Sequence, residues 1–196
     1  MIGGVILAAG EGRRFGGVKQ LADLDGRRLL EHAVDAMLAV PAIERIVVVL
    51  GAGAEEISSR VDLGEAEPVV CGEWKEGLAA SLRTGVEALA DAEAVVVTLG
   101  DQPLITPQVI AAVVDQIDAP EPAARVTYDG RPGHPVLIKR ELYGAVARLR
   151  GDSGARDLLA SAGLREFEAA HLCRPDDVDT PDDLRTIREL DREAVR

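Results

Sequence analysis

A glycine-rich segment near the start of the chain carries residue types that could bind a phosphate chain. Four glycines lie within residues 10–17, and Arg14 and Lys19 add basic side chains. Glycine allows positive φ angles and lets backbone N–H groups approach phosphate oxygens closely, while basic groups supply countercharge. The pattern GxxxxGK[ST] is absent and GxGxxG fails at Phe15, which disfavours a P-loop and a dinucleotide-binding loop. The spacing predicts a phosphate-binding loop, although a plain flexible turn also fits it.

A second candidate for chemistry is the carboxylate of Asp101, which follows the strongly apolar run 94–99. Mg²⁺ prefers hard oxygen ligands and is often held by carboxylates together with substrate phosphates. Asp101 is therefore a candidate metal ligand if the glycine-rich loop lies opposite it. An aspartate before Gln102-Pro103 is also a common way to begin a turn.

Two kinds of apolar pattern alternate along the chain, and they predict the strands and helices that must position these residues. Short apolar runs predict buried strands at 5–8, 46–50, 69–71 and 94–99. Helical periodicity over 29–38 and 78–89 separates these runs, and Thr106-Pro107 predicts a further helix start. The combination predicts an α/β fold with a three-layer, mostly parallel, Rossmann-like sheet and helices on both faces. Ligands of such sheets bind beyond the carboxyl ends of the strands, where the glycine-rich loop and Asp101 are expected.

The second half of the chain has a less regular pattern. The expected elements are strands at 125–128 and 135–138, a turn at 129–134, a helix at 140–149, a helix opening near Gly151 and a last helix starting at 179–181. No internal repeat or interdomain linker is evident in the sequence. We therefore expect a single domain over residues 1–196.

Composition excludes several classes of partner. The chain has 196 residues and a formal net charge of -12, so its overall field disfavours nucleic acid and anionic membranes. Its two cysteines form no CxxC pattern, which indicates neither a zinc site nor a disulfide framework and fits a reducing cytoplasm. No basic segment followed by a long apolar stretch opens the chain, so we expect no signal peptide or membrane span.

The motifs along the chain resemble those of one family. Leu7-Ala8-Ala9-Gly10, with Arg14-Phe15-Gly16 and Lys19, resembles the nucleotide-binding motif of the molybdenum-cofactor nucleotidyltransferase-like family. Further matching motifs lie at 74–85, 100–103, 133–136, 151–156 and 177–184, and the last three are typical of its molybdenum cofactor cytidylyltransferase branch. The sequence departs from the family at Cys71-Gly72, where an Asn and a Pro are usual, which puts base choice or affinity in question.

The resemblance implies a nucleotide site in the N-terminal half of the chain. The implied nucleotide-binding residues are Leu7, Ala8, Ala9, Gly10, Gly12, Arg14, Lys19 and Ser81. Lys19, Arg14 and Asp101 are the implied catalytic residues, and Asp101 and Asp179 would hold Mg²⁺. For Asp179 an alternative remains, because Asp179 or Thr180 could simply cap the helix that begins at Pro181.

The same resemblance implies an acceptor site in the C-terminal half. His134 is expected there, in a turn that keeps it near the surface. Ser153 and Arg156 lie at a glycine-rich helix start, where an anion could bind, and Arg156 could hold an acceptor phosphate. A capped helix with an exposed arginine fits these two residues equally well.

The function implied by the resemblance is Mg²⁺-dependent transfer of CMP from CTP to the terminal phosphate of molybdenum-bearing molybdopterin. The Leu-Ala-Ala-Gly form of the loop favours CTP over GTP. A molybdoenzyme or its chaperone is a further expected partner. Three alternatives remain open: the same chemistry with GTP or on a sugar, polyol or lactate phosphate; a non-catalytic chaperone for molybdenum cofactor; and a Rossmann-type oxidoreductase. The failed GxGxxG pattern and the position of Lys19 disfavour the oxidoreductase.

Overall fold

The computed structural model describes the backbone of residues 1–151 and 154–194, with side chains for 1–151 and 158–190. Ser153 therefore lies outside the described residues, and only the backbone of Arg156 is described. The strands are β1 (Ile2–Ala8), β2 (Asp23–Leu24), β3 (Arg27–Arg28), β4 (Ile43–Leu50), β5 (Glu67–Val70), β6 (Ala94–Leu99), β7 (Ala123–Tyr128), β8 (Arg131–Lys139) and β9 (Leu164–Glu168). The α-helices are α1 (Leu29–Leu38), α2 (Ala54–Arg60), α3 (Leu78–Ala88), α4 (Pro107–Val114), α5 (Tyr143–Val146), α6 (Gly154–Ala162) and α7 (Pro181–Ala194).

A seven-stranded sheet forms the centre, in the order β5-β4-β1-β6-β8-β7-β9. Strands β5, β4, β1 and β6 run parallel to one another, whereas β8 is antiparallel to both of its neighbours, and β7 pairs parallel with β9. The prediction of a mostly parallel sheet is confirmed. The loop after β1 and the turn after β6 leave adjacent parallel strands, so both lie at the same edge of the sheet.

Apolar residues on the two faces of the sheet form two separate clusters, which confirms the three layers. Val5 joins the cluster beneath α3, whereas its neighbour Ile6 joins the cluster beneath α1 and α4. This alternation follows from the pleat, because successive side chains of a strand point to opposite faces. A third, smaller cluster joins α7 to the start of α1 through Ile187 and Leu29. Helix α7, which carries the acidic segment at its N-terminus, is thereby anchored beside the β1 loop.

The expected turn at 129–134 is wrong, because β8 already begins at Arg131. Only Asp129 and Gly130 connect β7 to β8, with positive φ angles of 51° and 73° that suit a two-residue hairpin. The prolines and glycine of 132–135 suggested a turn, but β6 pairs with β8 only from Val136 onward. Residues 131–135 of β8 are therefore not hydrogen-bonded to β6 on that side, and proline is tolerated at such an unpaired strand edge.

One other expected helix differs from the structure, and two elements were not predicted. The expected helix at 140–149 is a 3₁₀ turn followed by the short α5, and the helix expected near Gly151 is described from Gly154. The helix α2 had no sequence signal because it buries a single residue, Ile57. The strand β9 is charged and largely exposed, so it lacks the apolar run of the central strands. In the described part of the chain, no helix is both long and apolar enough to cross a membrane.

Close packing of α3 on the sheet depends on Gly85. A Cβ at this position would lie 2.5 Å from Val5 Cγ1 and 3.1 Å from Val49 Cγ2, and both valines are fully buried. We expect Gly85→Ala to lower the free energy of unfolding by about 1–3 kcal/mol, because overpacking outweighs the gain in helix propensity. Urea unfolding monitored by circular dichroism measures this change.

The matched control for that substitution is Gly144→Ala in α5. A Cβ there would meet only Arg148 Nη1, at 3.9 Å. This variant should be as stable as the parent protein or slightly more stable. Equal stability of Gly85→Ala and Gly144→Ala would contradict the packing account.

Candidate active site

The loop after β1 is closed by its own backbone around Gly12. The carbonyl oxygen of Gly12 accepts hydrogen bonds from Phe15 N and Gly16 N, both at 3.0 Å. Gly12 has a φ of 67°, and a Cβ there would lie 2.2 Å from the carbonyl oxygen of Gly17. Only glycine fits such a position, because an added Cβ would overlap the backbone. The glycine that suggested a phosphate loop is thus required by the loop conformation itself.

A cleft of ≈ 330 Å³ opens between this loop, the start of α3 and the end of β6. Its lining residues are Leu7, Ala8, Ala9, Gly10, Lys19, Gln20, Trp74, Gly77, Leu78, Ser81, Leu99, Gly100 and Asp101. Most of the residues predicted to bind nucleotide are therefore brought together. Gly12 and Arg14 are not among these lining residues, and Arg14 instead contacts the acidic segment before α7.

Lys19 connects the cleft with two carboxylates. Its ammonium lies 2.6 Å from Asp101 Oδ2 and 3.2 Å from Asp179 Oδ1, and its side chain is only 11% exposed. Burial alone lowers the pKa of Lys19, but the two carboxylates more than offset this and raise the pKa above its ordinary value. Lys19 is therefore a fixed positive charge across the physiological pH range.

Asp179 reaches the cleft through a backbone contact between distant segments. Val178 N donates a hydrogen bond to the carbonyl oxygen of Asp101 at 2.9 Å, which places the segment before α7 beside the end of β6. The carboxylate of Asp179 then contacts Lys19 and also accepts from Arg14 Nη2 at 2.8 Å. Two basic side chains of the β1 loop thus converge on one carboxylate.

Helix α7 is capped without the side chain of Asp179. Thr180 Oγ1 accepts from Asp183 N at 3.2 Å, and Asp183 Oδ2 accepts from Thr180 N at 2.7 Å. This reciprocal pair satisfies donors at the helix start, in the manner of a capping box. Of the two capping residues considered from the sequence, Thr180 is therefore the cap, and the Asp179 carboxylate instead contacts Lys19 and Arg14.

A third carboxyl group, Asp177, lies next to this pair and was passed over by the sequence reasoning. Burial, and then the negative charge of Asp101, raises the pKa of Asp177 above its ordinary value. Gln102 Nε2 donates to Asp177 Oδ1 at 2.8 Å and to the carbonyl oxygen of Pro175 at 3.2 Å. Gln102 therefore fixes this carboxyl beside the metal candidates.

The residues at this edge fit a divalent cation. Asp101 Oδ1 is buried and has no hydrogen-bond partner among the described residues, whereas Asp101 Oδ2 contacts Lys19. A buried carboxylate oxygen without a hydrogen-bond partner is a suitable hard ligand for Mg²⁺ or Mn²⁺. Within the described part of the chain, no set of three or more His, Cys, Asp or Glu side chains is arranged for a metal. The donor set fits a cation that also takes ligands from a substrate phosphate.

A larger cavity of ≈ 900 Å³ adjoins the cleft, and Leu99 lines both. His134, predicted on the acceptor side, lines this cavity together with Gln102 and Asp177. His134 lies within β8 and not in a turn, so the expected turn is wrong, and its side chain is half-buried in the cavity wall. The cavity wall also includes Arg131, at the start of β8. Neither Ser153 nor the side chain of Arg156 belongs to the described residues, so their acceptor role stays a prediction.

The partly buried environment of His134 makes the stability of the protein depend on pH. Burial, and then the positive charge of Arg125, lowers the pKa of His134 to about 4. The unfolded chain takes up a proton near pH 6.5 while the folded protein does not, so stability falls as the pH drops from 7 towards 4. His134 should contribute a loss of about 2 kcal/mol between pH 7 and pH 5.

Urea unfolding at the two pH values checks this prediction. His134→Gln should show a smaller loss of stability between pH 7 and pH 5 than the parent protein. The exposed His171 supplies the control, and His171→Gln should keep the parental pH dependence. An unchanged pH dependence in His134→Gln would contradict the assignment.

Two cleft residues received no role from the sequence. Gln20 Nε2 donates to the carbonyl oxygens of Ala8 and Gly10, at 2.7 and 3.2 Å, and so fixes the loop segment that the base and ribose would contact. In the sequence, the position of Gln20 directly after Lys19 was the signal that could have indicated a role in the cleft. Trp74 lines the cleft and packs against Gly51, where a Cβ would lie 2.7 Å from Trp74 Cβ.

The departure from the family pattern at position 71 affects the core more than the cleft. Cys71 is buried in the apolar cluster beneath α3 and does not line the cleft.

The sequence is similar to a known family of nucleotidyltransferase domains and to individual proteins. Residues 4–168 match the MobA-like NTP transferase domain. The chain is similar to the nicotine blue oxidoreductase of Paenarthrobacter nicotinovorans, with 31% identity over 96% of this chain and 94% of that protein. It is also 35% identical to the probable molybdenum cofactor guanylyltransferase of Thermococcus sibiricus, over 58% of this chain and 54% of that protein.

Solved structures agree with this placement. Rv0371c from Mycobacterium tuberculosis H37Rv superposes with a TM-score of 0.85 at 34% identity, over 96% of this chain and 97% of that chain. A complex of Rv0371c with manganese superposes with a TM-score of 0.81 at 31% identity, over 96% and 98% of the two chains.

The fold and these similarities define a nucleotidyltransferase of Rossmann-like architecture. Within that class, the chain belongs to the MobA-like NTP transferase family, whose domain matches most of its length.

Proposed function

We propose that this protein transfers CMP from CTP to the terminal phosphate of molybdenum-bearing molybdopterin and releases pyrophosphate, with Mg²⁺ as the cation. The observation that carries the proposal is the meeting of Lys19, Asp101 and Asp179 at the cleft, which shares Leu99 with the larger cavity. A triphosphate in the cleft and a phosphate reaching in from the cavity would meet at these charged groups. The Ala8-Ala9 pair of the loop favours CTP as the donor.

The reaction requires alignment and neutralisation of charge. An oxygen of the acceptor phosphate attacks the α-phosphorus of CTP, a new P–O bond forms, and the bond to pyrophosphate breaks. A phosphate monoester is already ionised at neutral pH, so no dedicated general base is needed. Fixed positive charge and correct orientation of the two substrates are then the main sources of rate.

The chain's own residues supply these two requirements. Lys19 presents a permanent positive charge to the phosphates, and Arg14 adds a second from the loop. The backbone of residues 7–10, fixed by Gln20, and Ser81 in the first turn of α3 hold the nucleotide. Asp101 and Asp179 would hold the divalent cation, which when bound offsets the charge of the reacting phosphates.

The acceptor would occupy the larger cavity. His134 is uncharged at neutral pH because burial lowers its pKa to about 4, so it can offer a neutral hydrogen-bonding ring to the acceptor. Ser153 and Arg156 are proposed to bind the acceptor phosphate from the start of α6. In this arrangement the N-terminal half of a single domain binds CTP and the C-terminal half binds the acceptor.

Other substrates keep the same chemistry. The name of the Thermococcus sibiricus relative, a probable molybdenum cofactor guanylyltransferase, makes GTP the first alternative donor. A sugar, polyol or lactate phosphate could replace the acceptor, and a molybdoenzyme or its chaperone could receive the product in the cytoplasm. A purely non-catalytic chaperone is disfavoured, because Lys19 and Asp101 are both present and in contact.

One observation favours a second candidate from another class. The similarity to nicotine blue oxidoreductase spans 96% of this chain, more than the similarity to the guanylyltransferase. The Rossmann-type oxidoreductase of this alternative would take its electrons from a reduced nicotinamide cofactor. Oxidation of NADH or NADPH, followed at 340 nm with quinone-like acceptors, would support this candidate, and no binding of either cofactor would dismiss it.

A pyrophosphate-release assay tests the proposal. Purified protein with Mg²⁺ is given CTP, GTP, ATP or UTP, each with and without molybdenum-bearing molybdopterin. We expect pyrophosphate only when nucleotide and acceptor are both present, and fastest with CTP. No release from any nucleotide in the presence of the acceptor would contradict the proposal.

A further inference from the structure

The position of Lys19 conflicts with a metal ion on the same carboxylates. Its ammonium lies between Asp101 Oδ2 and Asp179 Oδ1, at 2.6 and 3.2 Å. A divalent cation in the proposed reaction would bind the same two carboxylates, through these oxygens or through Asp101 Oδ1, which has no hydrogen-bond partner among the described residues. Among the described residues, Lys19 contacts both carboxylates, and Arg14 also contacts Asp179, so Lys19 is the basic group that a metal held by the pair would have to displace.

The ammonium and a divalent cation cannot share this site at low cost. Two cations held by the same pair of carboxylates would be within a few ångströms of each other, in a partly buried site where screening by water is weak. The repulsion between a doubly and a singly charged group at that separation is large. One of the two cations has to leave before the other can bind well.

A bound nucleotide would offer the ammonium of Lys19 other partners. Its side chain lines the cleft that the triphosphate would enter, alongside Ala9 and Gly10. Its stem is flexible and its ammonium is a compact charge that binds phosphate oxygens readily. Phosphate oxygens can therefore replace the carboxylates as the partners of Lys19 without moving the backbone.

We propose that Lys19 is a placeholder cation, which releases Asp101 and Asp179 for the metal only when nucleotide phosphates draw its ammonium away. The metal and the nucleotide then bind cooperatively, because each is favoured by the state of Lys19 that the other creates. This inference rests on the proposed function, since it takes the nucleotide to be a triphosphate bound in the cleft. It gives Lys19 a role in the order of binding as well as in the reaction.

The direct test is manganese affinity in the absence of nucleotide. We compare the parent protein with Lys19→Met, measuring free Mn²⁺ by electron paramagnetic resonance. Methionine keeps a long side chain but removes the competing charge. The variant should bind manganese about tenfold more tightly than the parent protein, or better. The control is Lys139→Met, at a lysine whose ammonium contacts the carbonyl oxygen of Ala119, and its manganese affinity should match the parent.

Adding a non-hydrolysable CTP analogue tests the cooperativity. The analogue should tighten manganese binding of the parent protein strongly and that of Lys19→Met much less. Thermal unfolding keeps the test valid if the variant is destabilised because Asp101 has lost its ion pair with Lys19. In that case Mn²⁺ should raise the melting temperature of Lys19→Met more than that of the parent.

The outcomes separate this inference from the proposed function. Manganese affinity of Lys19→Met that is equal to or weaker than the parent's, with no larger thermal stabilisation, overturns the inference and leaves the transfer reaction untouched. Tighter manganese binding by the variant supports the inference, and absence of pyrophosphate release by the parent protein would still overturn the proposed function.

Discussion

Replacing Lys19 by methionine is expected to lower kcat for nucleotidyl transfer about 10²- to 10³-fold. The pKa of Lys19 is raised by Asp101 and Asp179 despite its burial, so the parent enzyme carries this charge at every physiological pH. A buried, permanent charge stabilises developing negative charge more than an exposed one, because little water competes with it. Steady-state pyrophosphate release at saturating CTP and acceptor measures the effect.

The control for this prediction must remove a lysine without touching the cleft. Lys139 is the last residue of β8 and does not line the cleft, so Lys139→Met should retain parental kcat and KM. If Lys19→Met kept more than about half of the parental kcat, the assignment of Lys19 as a catalytic residue would be wrong. Because Lys19→Met is also expected to bind free manganese better, a loss of activity could not be attributed to loss of the metal.

Replacing Asp101 by asparagine should lower kcat about 10³-fold and weaken manganese binding in the presence of nucleotide. Asparagine has the same shape, so the turn after β6 and the contact of Val178 N with the carbonyl oxygen of Asp101 should survive. The change removes the negative charge that a divalent cation needs and leaves Lys19 paired with Asp179 alone. Kinetics at several Mg²⁺ concentrations, together with manganese titration, measure both effects.

The matched control is Asp115→Asn, which changes an exposed aspartate after α4 in the same way. It should leave kcat and metal affinity unchanged. Full activity of Asp101→Asn at ordinary Mg²⁺ concentrations would exclude this carboxylate as a necessary metal ligand.

The central sheet could be predicted because its strands are continuous apolar runs. The run at 94–99 matches β6 at both ends, since it is covered by helices on both faces and has no polar alternation. The peripheral elements lack this signal. The helix α2 buries only Ile57, and β9 is a charged edge strand, so neither has a pattern that burial would impose.

The candidate site could be predicted in composition but not in arrangement. Lys19 and Asp179 are 160 residues apart in the chain, and a backbone hydrogen bond from Val178 to Asp101 brings them together. A sequence does not display such a contact, so only the resemblance to a family selected Asp179 among its acidic neighbours. For Asp177, the raised pKa that marks it arises from burial and from Asp101, both products of folding.

For His134, the sequence pattern predicted the wrong local structure. Its glycine and proline neighbours are typical of a turn, but the free side of β8 accepts them within a strand. The structure therefore gives His134 a half-buried position in the cavity wall in place of an exposed loop.

The most direct test of the central claim follows the label of [α-³²P]CTP. Parent protein, Mg²⁺ and molybdenum-bearing molybdopterin are incubated with the labelled nucleotide, and the products are separated by chromatography. The account predicts that the label moves to the acceptor in an amount equal to the pyrophosphate released, and that Lys19→Met and Asp101→Asn lose this transfer. Pyrophosphate release with the label appearing only as free CMP, or no reaction with any acceptor, would contradict it.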